Sequence, residues 1–470
     1  MIARLCGLAL LGLALGDAVA LADENSDLDL IPQAAGQPQT PTVAVSPGGA
    51  PNQRLYLENA LTGSGPRGGL PVPFPPPKPA TWQERLFLDA RKQWVLGDRV
   101  TLTLSDRLNL RAESNLDGPG HQNTINDFRE GYVSWEALDR TYLDAGRINL
   151  KNGAAVGFNP TDFFKTRAVV DPLSVDPTVL REDRLGTVMG FGERIWQGGT
   201  LMVAVAPKLT NPTAVYKSTD LRSFDPSFDR TNAHARFMVK GSADLAEDFA
   251  PELLLYHEAD RTSVGTNLTR SVSQDVVVYA EWAGGTRSSL VDEALRYGRQ
   301  TGTLPMNASS AIPESSISGF QSELSVGGSY TTESKITFNL EYHFNQAGFS
   351  RRDWNNWFRA GSSPGARAAI TRELWYLRSY AAEQQEPLSE HSVFLRADRV
   401  DAFVPNLEIT GFINADLYDG SSLAQVTADY YLSNAWTVGG LVIADLGRAH
   451  SDFGSLPQTA SVLFRLARYF

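Results

Sequence analysis

Apolar and polar residues alternate one by one along much of the chain beyond residue 98. In residues 100–113 the even positions are apolar except Asp106, and the odd positions are all polar. Residues 335–345 repeat the pattern, with Ile336, Phe338 and Leu340 in the apolar set. A period of two over more than ten residues predicts a β-strand, because a helix does not bring alternate residues to one face. Soluble sandwiches also alternate, but their strands average only about 5 to 6 residues.

The pattern recurs in about sixteen segments. The predicted strands are residues 99–114, 127–137, 141–150, 185–195, 199–209, 232–243, 249–258, 262–270, 274–285, 318–331, 335–348, 391–402, 406–418, 422–432, 435–447 and 457–470. Many approach the roughly 9 to 11 residues that a tilted strand needs to cross a bilayer. The predicted fold is an all-β, transmembrane, antiparallel up-and-down barrel of about sixteen strands with long extracellular loops. Residues 85–96 form either a further strand or a plug-like segment, so about fourteen to eighteen strands are allowed.

Tight turns alternate with mostly longer insertions between these strands. The tight turns lie near residues 138, 197, 245, 273, 332, 404 and 433. In an outer-membrane barrel, short turns face the periplasm and long loops face outside. An even strand number places both ends of the barrel on the periplasmic side. Closure would pair the first strand, near Val100, with the last, near Phe464, because unpaired strand edges are costly in hydrocarbon.

The last ten residues carry a resemblance to known proteins. Three apolar residues share one face with the terminal Phe470, and polar residues occupy the other face; the apolar three are Val462, Phe464 and Leu466. This ending resembles that of bacterial outer-membrane barrels, although Arg468 stands where an apolar or aromatic residue is expected. The resemblance implies a location in the bacterial outer membrane, with its lipid as a partner.

Residues 1–22 have the features of a secretory signal peptide. Arg4 gives a basic start, residues 5–15 are apolar or small, and Ala20 and Ala22 offer a small-x-small cleavage site. Cys6, the single cysteine of the chain, falls inside this segment. Cleavage would therefore exclude disulfides, thiolate catalysis and cysteine-bound metals from the remaining chain.

Residues 23–82 are predicted to be a proline-rich periplasmic linker, with the barrel occupying residues 83–470. Twelve of the 26 prolines lie between Pro32 and Pro79. Proline fixes φ and removes a hydrogen-bond donor, so this composition favours extended polyproline II over a packed core. The linker is either a docking strip for a periplasmic partner or a tail that makes no specific contact.

Composition narrows the possible partners. The chain has a formal net charge of -11, and 42% of its residues are hydrophobic. This average does not exclude a membrane barrel, because alternating strands dilute their apolar residues with polar ones. No run of 18 or more apolar residues follows the signal segment, which excludes a helical membrane protein. The acidic charge argues against nucleic acid as a partner.

If the apolar positions face lipid, the alternate positions place charged side chains in a wet lumen. The predicted lumen and substrate-binding residues are Arg107, Arg111, Arg147, Lys151, Asp162, Arg236 and Lys240. Charges at a constriction bias which solutes enter a pore. The alternative is that these charges only hydrate the lumen and pair across strands.

The insertion 151–183 is the most distinctive loop. It contains Phe158, Phe163 and Phe164, which are too apolar to remain in water, so the loop is predicted to fold into the barrel mouth. Around it, Gly146-Arg147 and Asn159-Pro160-x-Asp162 resemble the strand-loop-strand unit of alginate-export, capsule-assembly and uncharacterised large outer-membrane barrels. That resemblance implies export of a polymer such as a polysaccharide. The loop acts either as a filter or as a seal.

A second insertion, residues 349–390, contains a helix-like run at residues 366–384 and is predicted to act as a lid. No metal site is expected, because the six histidines are scattered without metal-ligand spacing. No Gly-x-Ser-x-Gly elbow appears in a strand-turn-helix context. The chain is therefore predicted to be neither an enzyme nor a cofactor-binding protein.

Two functional classes remain open. The first is an outer-membrane channel for a hydrophilic solute or an exported polymer, with a charged lumen and the loop 151–183 as its filter. The second is a non-conducting barrel that binds surface polysaccharide or a periplasmic partner as an assembly scaffold.

Overall fold

A computed structural model describes residues 53–76, 78–114, 124–170, 173–214, 225–246, 248–306, 310–313, 319–363 and 368–470. They contain one antiparallel sheet of eighteen strands, in which each strand pairs with its neighbours in sequence and β1 pairs with β18 to close the barrel. The strands are β1 Gln53–Pro66, β2 Trp82–Gly97, β3 Val100–Glu113, β4 Thr124–Leu138, β5 Thr141–Ile148, β6 Thr187–Trp196, β7 Gly199–Ala206, β8 Arg236–Ala243, β9 Glu252–Glu258, β10 Arg261–Ser271, β11 Val276–Arg287, β12 Gly319–Thr331, β13 Ile336–Asn345, β14 His391–Arg399, β15 Leu407–Asp416, β16 Ser422–Ser433, β17 Trp436–Leu446 and β18 Gln458–Tyr469.

The closing strand differs from the sequence prediction. β18 pairs with β1, which brings Leu61 opposite Phe464, whereas the strand that contains Val100 is third in the barrel. Residues 53–66 were predicted to be linker, and that part of the prediction is wrong. Within this segment Tyr56 and Glu58 face inward while Leu57 faces outward, so the strand alternates despite the prolines around it.

All sixteen predicted strands are present, and the region of residues 85–96 belongs to β2. The strand number of eighteen lies at the upper end of the expected range. The predicted signal peptide, residues 1–22, and residues 23–52 of the predicted linker lie outside the described residues.

The two ends of the barrel differ strongly. Turns such as 98–99, 139–140 and 434–435 lie at the end that carries Gln53 and Phe470, which we call the terminal end. The long connections lie at the opposite, loop end; they are residues 149–186, 207–235, 288–318 and 346–390. Residues 67–81, which connect β1 to β2, also lie at the loop end. The linker prediction placed these prolines at the terminal end. The described prolines of this connection lie at the loop end instead.

Five helices lie in the loop-end connections of the described chain. They are α1 Pro177–Glu182, α2 Phe228–Thr231, α3 Leu290–Gln300, α4 Arg351–Ser362 and α5 Ala368–Gln384. The helix-like run predicted at residues 366–384 coincides with α5. No helix in the described part of the chain is long and apolar enough to cross a membrane.

Helices α3, α4 and α5 form a cap at the loop end. Their apolar side chains make one buried cluster that includes Leu295, Trp357 and Leu374. Val72 from the β1–β2 connection is buried in the same cluster, and Pro73 accepts a hydrogen bond from the Trp375 indole at 3.0 Å. The proline-rich connection therefore packs against the cap and adds buried apolar surface to it.

Candidate functional site

The lumen contains the described residues of the connection between β5 and β6, 149–170 and 173–186, which we call the plug segment. Its aromatic side chains pack on the inner wall: Phe163 stacks on Tyr256 of β9 with ring centroids 4.5 Å apart. Phe164 belongs to a buried cluster with Met189 on β6 and Met238 on β8. Burial of these apolar groups drives the segment inward, as the sequence predicts.

Two carboxylates anchor the plug segment to the wall opposite β5. Glu281 of β11 accepts the backbone N–H of Ala155 at 2.5 Å. Glu341 of β13 accepts the N–H groups of Val156 at 2.5 Å and Gly157 at 2.9 Å. Both carboxylates are almost completely buried. Charge-assisted bonds of this kind are stronger than neutral ones, so they fix the plug backbone across the lumen.

Gly153 allows this close approach. Its φ is +88°, and a Cβ atom there would lie 2.4 Å from Oε2 of Glu281. Any larger residue would therefore be strained by the backbone and would collide with the anchoring carboxylate.

The far half of the plug segment contacts three other parts of the wall. Val175 donates its N–H to Gln425 of β16 at 2.9 Å. Asp183, which follows α1, forms ion pairs with Arg107 of β3 at 2.7 Å and with Arg129 of β4 at 3.2 Å. Together with the anchors on β11 and β13, these contacts show that the plug segment spans the lumen between opposite sides of the sheet.

A cluster of cations surrounds Asp89 on the inner face of β2. This carboxylate is fully buried and lies 2.6 Å from Nη2 of Arg129, 2.9 Å from Nε of Arg107 and 3.1 Å from Nη2 of Arg54. Since Arg107 and Arg129 also bind Asp183, the cluster connects the barrel wall to the plug segment. The three guanidinium groups outnumber the two carboxylates, so the cluster carries a net positive charge.

One side of the lumen remains accessible to water. The exposed fraction of the side chain is 49% for Arg54, 32% for Arg465, 35% for Lys151 and 64% for Glu182. These residues lie on β1, on β18 and on the plug segment around α1. Partial burial would raise the pKa of Glu182, but Lys151, Arg181 and Arg54 outweigh that effect and hold the pKa below its usual value. Glu182 therefore remains ionised opposite the wall cations.

The cap and the plug segment are joined. Arg167 of the plug donates its backbone N–H to the carbonyl of Glu383 in α5 at 2.6 Å. Gln385, just beyond α5, accepts a hydrogen bond from Arg184 at 2.8 Å and donates one to the carbonyl of Lys165. Burial lowers the pKa of Lys165, whose ammonium lies 4.3 Å from the centre of the Phe158 ring. Movement of the plug would therefore disturb the cap.

The seven predicted lumen residues fall into different environments. Arg107 joins the Asp89 cluster, and Lys151 pairs with Glu182 on the water-accessible side. Arg111 is paired with Glu113. The structure does not gather all seven at one site.

The other four hold the fold together. Arg147 donates to the carbonyls of Gly186 and Pro226. Asp162 is paired with Arg184 at 2.6 Å inside the plug segment. Arg236 and Lys240 of β8 are paired with glutamates of β9, namely Glu258 and Glu252.

The sequence analysis missed several inward-facing charged residues near β1. Arg54 and Glu58 lie on the strand that was assigned to the linker. Asp89 lies in the region that was left open between strand and plug, and Arg129 lies beside a register shift between β3 and β4. The alternation of residues 54–61 could have revealed the first two.

The described residues contain no group of three or more His, Cys, Asp or Glu side chains that could hold a metal ion.

No protein-family model and no curated protein match the chain. The solved structures that resemble it include a mutant porin of Rh. blastica, at 10% identity and a TM-score of 0.40, covering 89% of this chain and 99% of the porin. OccAB4 of Acinetobacter baumannii resembles it at 9% identity and a TM-score of 0.49, covering 89% of this chain and 97% of OccAB4. A structure titled "Asymmetric conductivity of engineered proteins" has 11% identity and a TM-score of 0.39, covering 89% of this chain and 99% of its own. These comparisons do not support the alginate-export and capsule-assembly resemblance, and at such low scores we carry no solute over to this chain.

Proposed function

We propose that the chain is an outer-membrane channel through which small hydrophilic solutes diffuse past the plug segment. The outer surface supports the location, because exposed apolar side chains occur all around the barrel: Leu57, Leu88, Val133, Leu201, Leu255, Val278, Val326, Leu340, Leu395, Val426, Val442 and Phe464. Exposed aromatic residues lie near both rims, including Trp82 at the loop end and Trp135 and Trp196 at the terminal end. Such girdles mark the two interfaces of a bilayer.

The observation that carries the proposal is the exposure of charged side chains inside the closed barrel. A lumen filled only to stabilise the fold would leave no room for water around Arg54, Arg465 and Glu182. A wet, charged passage beside a rigid constriction is the arrangement that selects small ions and polar solutes. A bulky polymer would require the plug segment to leave the lumen, so we propose a small solute and not an exported polysaccharide.

The test is ion selectivity in planar bilayers. Arg465→Ala and Arg54→Ala each remove a water-accessible cation from the lumen, so we expect the chloride-to-potassium permeability ratio to fall by roughly twofold in each variant. The measurement is the reversal potential in a salt gradient at low ionic strength, where charges are least screened.

Arg468→Ala is the matched control. Arg468 lies on the same strand as Arg465 but stacks outside on Trp436, 5.3 Å from the ring centre. Its removal should leave the reversal potential unchanged. Equal effects of the inner and outer substitutions would contradict the proposed path.

A further inference from the structure

A separate cavity lies between the plug segment and the inner wall of β9 to β12. Its volume is about 70 Å³, and it is lined by plug residues including Asp162 and Phe163 and by wall residues including Gln321 and Glu323. The water-accessible side described above lies on β1 and β18, so this cavity is not part of that path. At roughly 10 to 15 Å³ per water-sized probe, it can hold several waters or one small polar group.

Two buried oxygen atoms at this cavity lack a hydrogen-bond donor within the described chain. One is Oδ1 of Asp162, a residue only 1% exposed, and the other is Oε1 of Gln321. The second carboxylate oxygen of Asp162 is already used by Arg184. Because a buried acceptor without a donor costs free energy, these atoms favour a ligand that brings N–H or O–H groups.

Ion pairs engage the charged groups around the cavity. Four carboxylates and three cations line it: Asp162, Glu258, Glu323 and Glu386 against Lys165, Arg261 and Arg287. The two arginines are engaged, since Arg287 contacts Glu293, Glu323 and Glu386, and Arg261 contacts Glu293. Among the other carboxylates, Asp162 pairs with Arg184 through one oxygen and Glu258 pairs with Arg236. Lys165 donates to the carbonyl of Asn159 at 2.7 Å.

An aromatic pair lines the same cavity. Phe163 and Tyr256 line the cavity as a stacked pair. The face of an aromatic ring attracts cations, and an ammonium group is the small cation that also supplies several hydrogen-bond donors. A carboxylate ligand would bring no hydrogen-bond donor for the two unpaired acceptors.

We propose that this cavity is a binding subsite for the ammonium end of a small amine solute. The ammonium donates to Asp162 and Gln321 and lies against the Phe163–Tyr256 pair. The subsite goes beyond the proposed channel function, because binding to the purified barrel does not require conduction.

Three probes of similar size separate the chemical classes: propylammonium, propanol and propionate. Saturation-transfer NMR on the full chain in detergent should show propylammonium bound at least about fivefold more tightly than the other two. Equal binding of all three probes would overturn the proposal. Conductance, measured separately, would remain informative about the channel in either case.

Two substitutions locate the binding. Gln321→Met keeps the shape of the side chain but removes the acceptor, and Glu323→Gln removes a negative charge from the lining. We expect each to weaken propylammonium binding severalfold. Gln93→Met, on the inner face of β2 and outside this cavity, should leave binding unchanged. Unaltered binding in both cavity variants, or equal loss in the Gln93 control, would contradict the assignment.

Discussion

At the scale of single residues, the plug depends on the contact between its glycine-rich turn and two wall carboxylates. Ala155 and Glu281 are 126 residues apart in sequence, and Val156 and Glu341 are 185 apart. The sequence predicts that the loop turns inward, because its phenylalanines require burial. It does not identify the anchors, since nothing local in β11 or β13 shows which inward carboxylate will meet a distant amide.

Gly153→Ala tests this contact. The new methyl group must adopt an unfavourable positive φ and would collide with Glu281, so we expect the docked plug to lose about 2 kcal/mol or more. Hydrogen exchange of the amides of residues 155–157 should become faster. Gly190→Ala on β6 is the control, because its Cβ meets no atom within 4 Å. Unchanged exchange in the Gly153 variant would contradict the anchoring role.

At the scale of elements, the strands were predictable and the barrel closure was not. Within each strand, alternating apolar and polar residues show which side faces outward and which faces the lumen. This pattern can be read from the strand's own sequence. β1 carries the same alternation, but the prolines on both sides of it suggested a linker. α4 was missed as well, because its contribution to the cap depends on packing against α5 and on Val72 from a remote connection.

Val72→Asp tests how the β1–β2 connection holds the cap. Val72 is fully buried, so the substitution places a charge among apolar side chains and should weaken cap docking by about 3 kcal/mol or more. Limited proteolysis should then cleave residues 346–390 faster. Pro76→Asp changes an exposed position in the same connection and should have no such effect. Identical cleavage of the two variants would argue against the role of Val72.

At the scale of the whole molecule, closure through β1 decides whether a barrel forms. Without β1, strands β2 and β18 would each present an unpaired edge, and each unsatisfied backbone group costs several kcal/mol in hydrocarbon. A chain that begins at Arg67 should therefore fail to give the heat-modifiable band of a folded barrel on gel electrophoresis. A chain that begins at Asp23 should retain it. A folded product from the shorter chain would show that the β1–β18 pairing is dispensable.

Under the proposed function, the plug, the cap and the wet side of the lumen together form a narrowed channel. The ion pairs of Asp183 with Arg107 and Arg129, and the bonds to Glu281 and Glu341, keep the constriction in place. Solutes would pass beside α1 under the field of Arg54, Arg465 and Glu182. The gap between the plug and the wall then determines which solutes pass. The width of the barrel itself sets only an upper limit on their size.

The most direct measurement is single-channel conductance before and after replacement of residues 151–183 by a short Gly-Ser connection. Heat-modifiable migration on a gel would first establish that the variant still forms a barrel. We expect a small, steady current from the intact chain and a severalfold larger current from the variant, because the plug segment crosses the lumen. An intact barrel that carries no current, or a variant whose current equals that of the intact chain, would contradict the account.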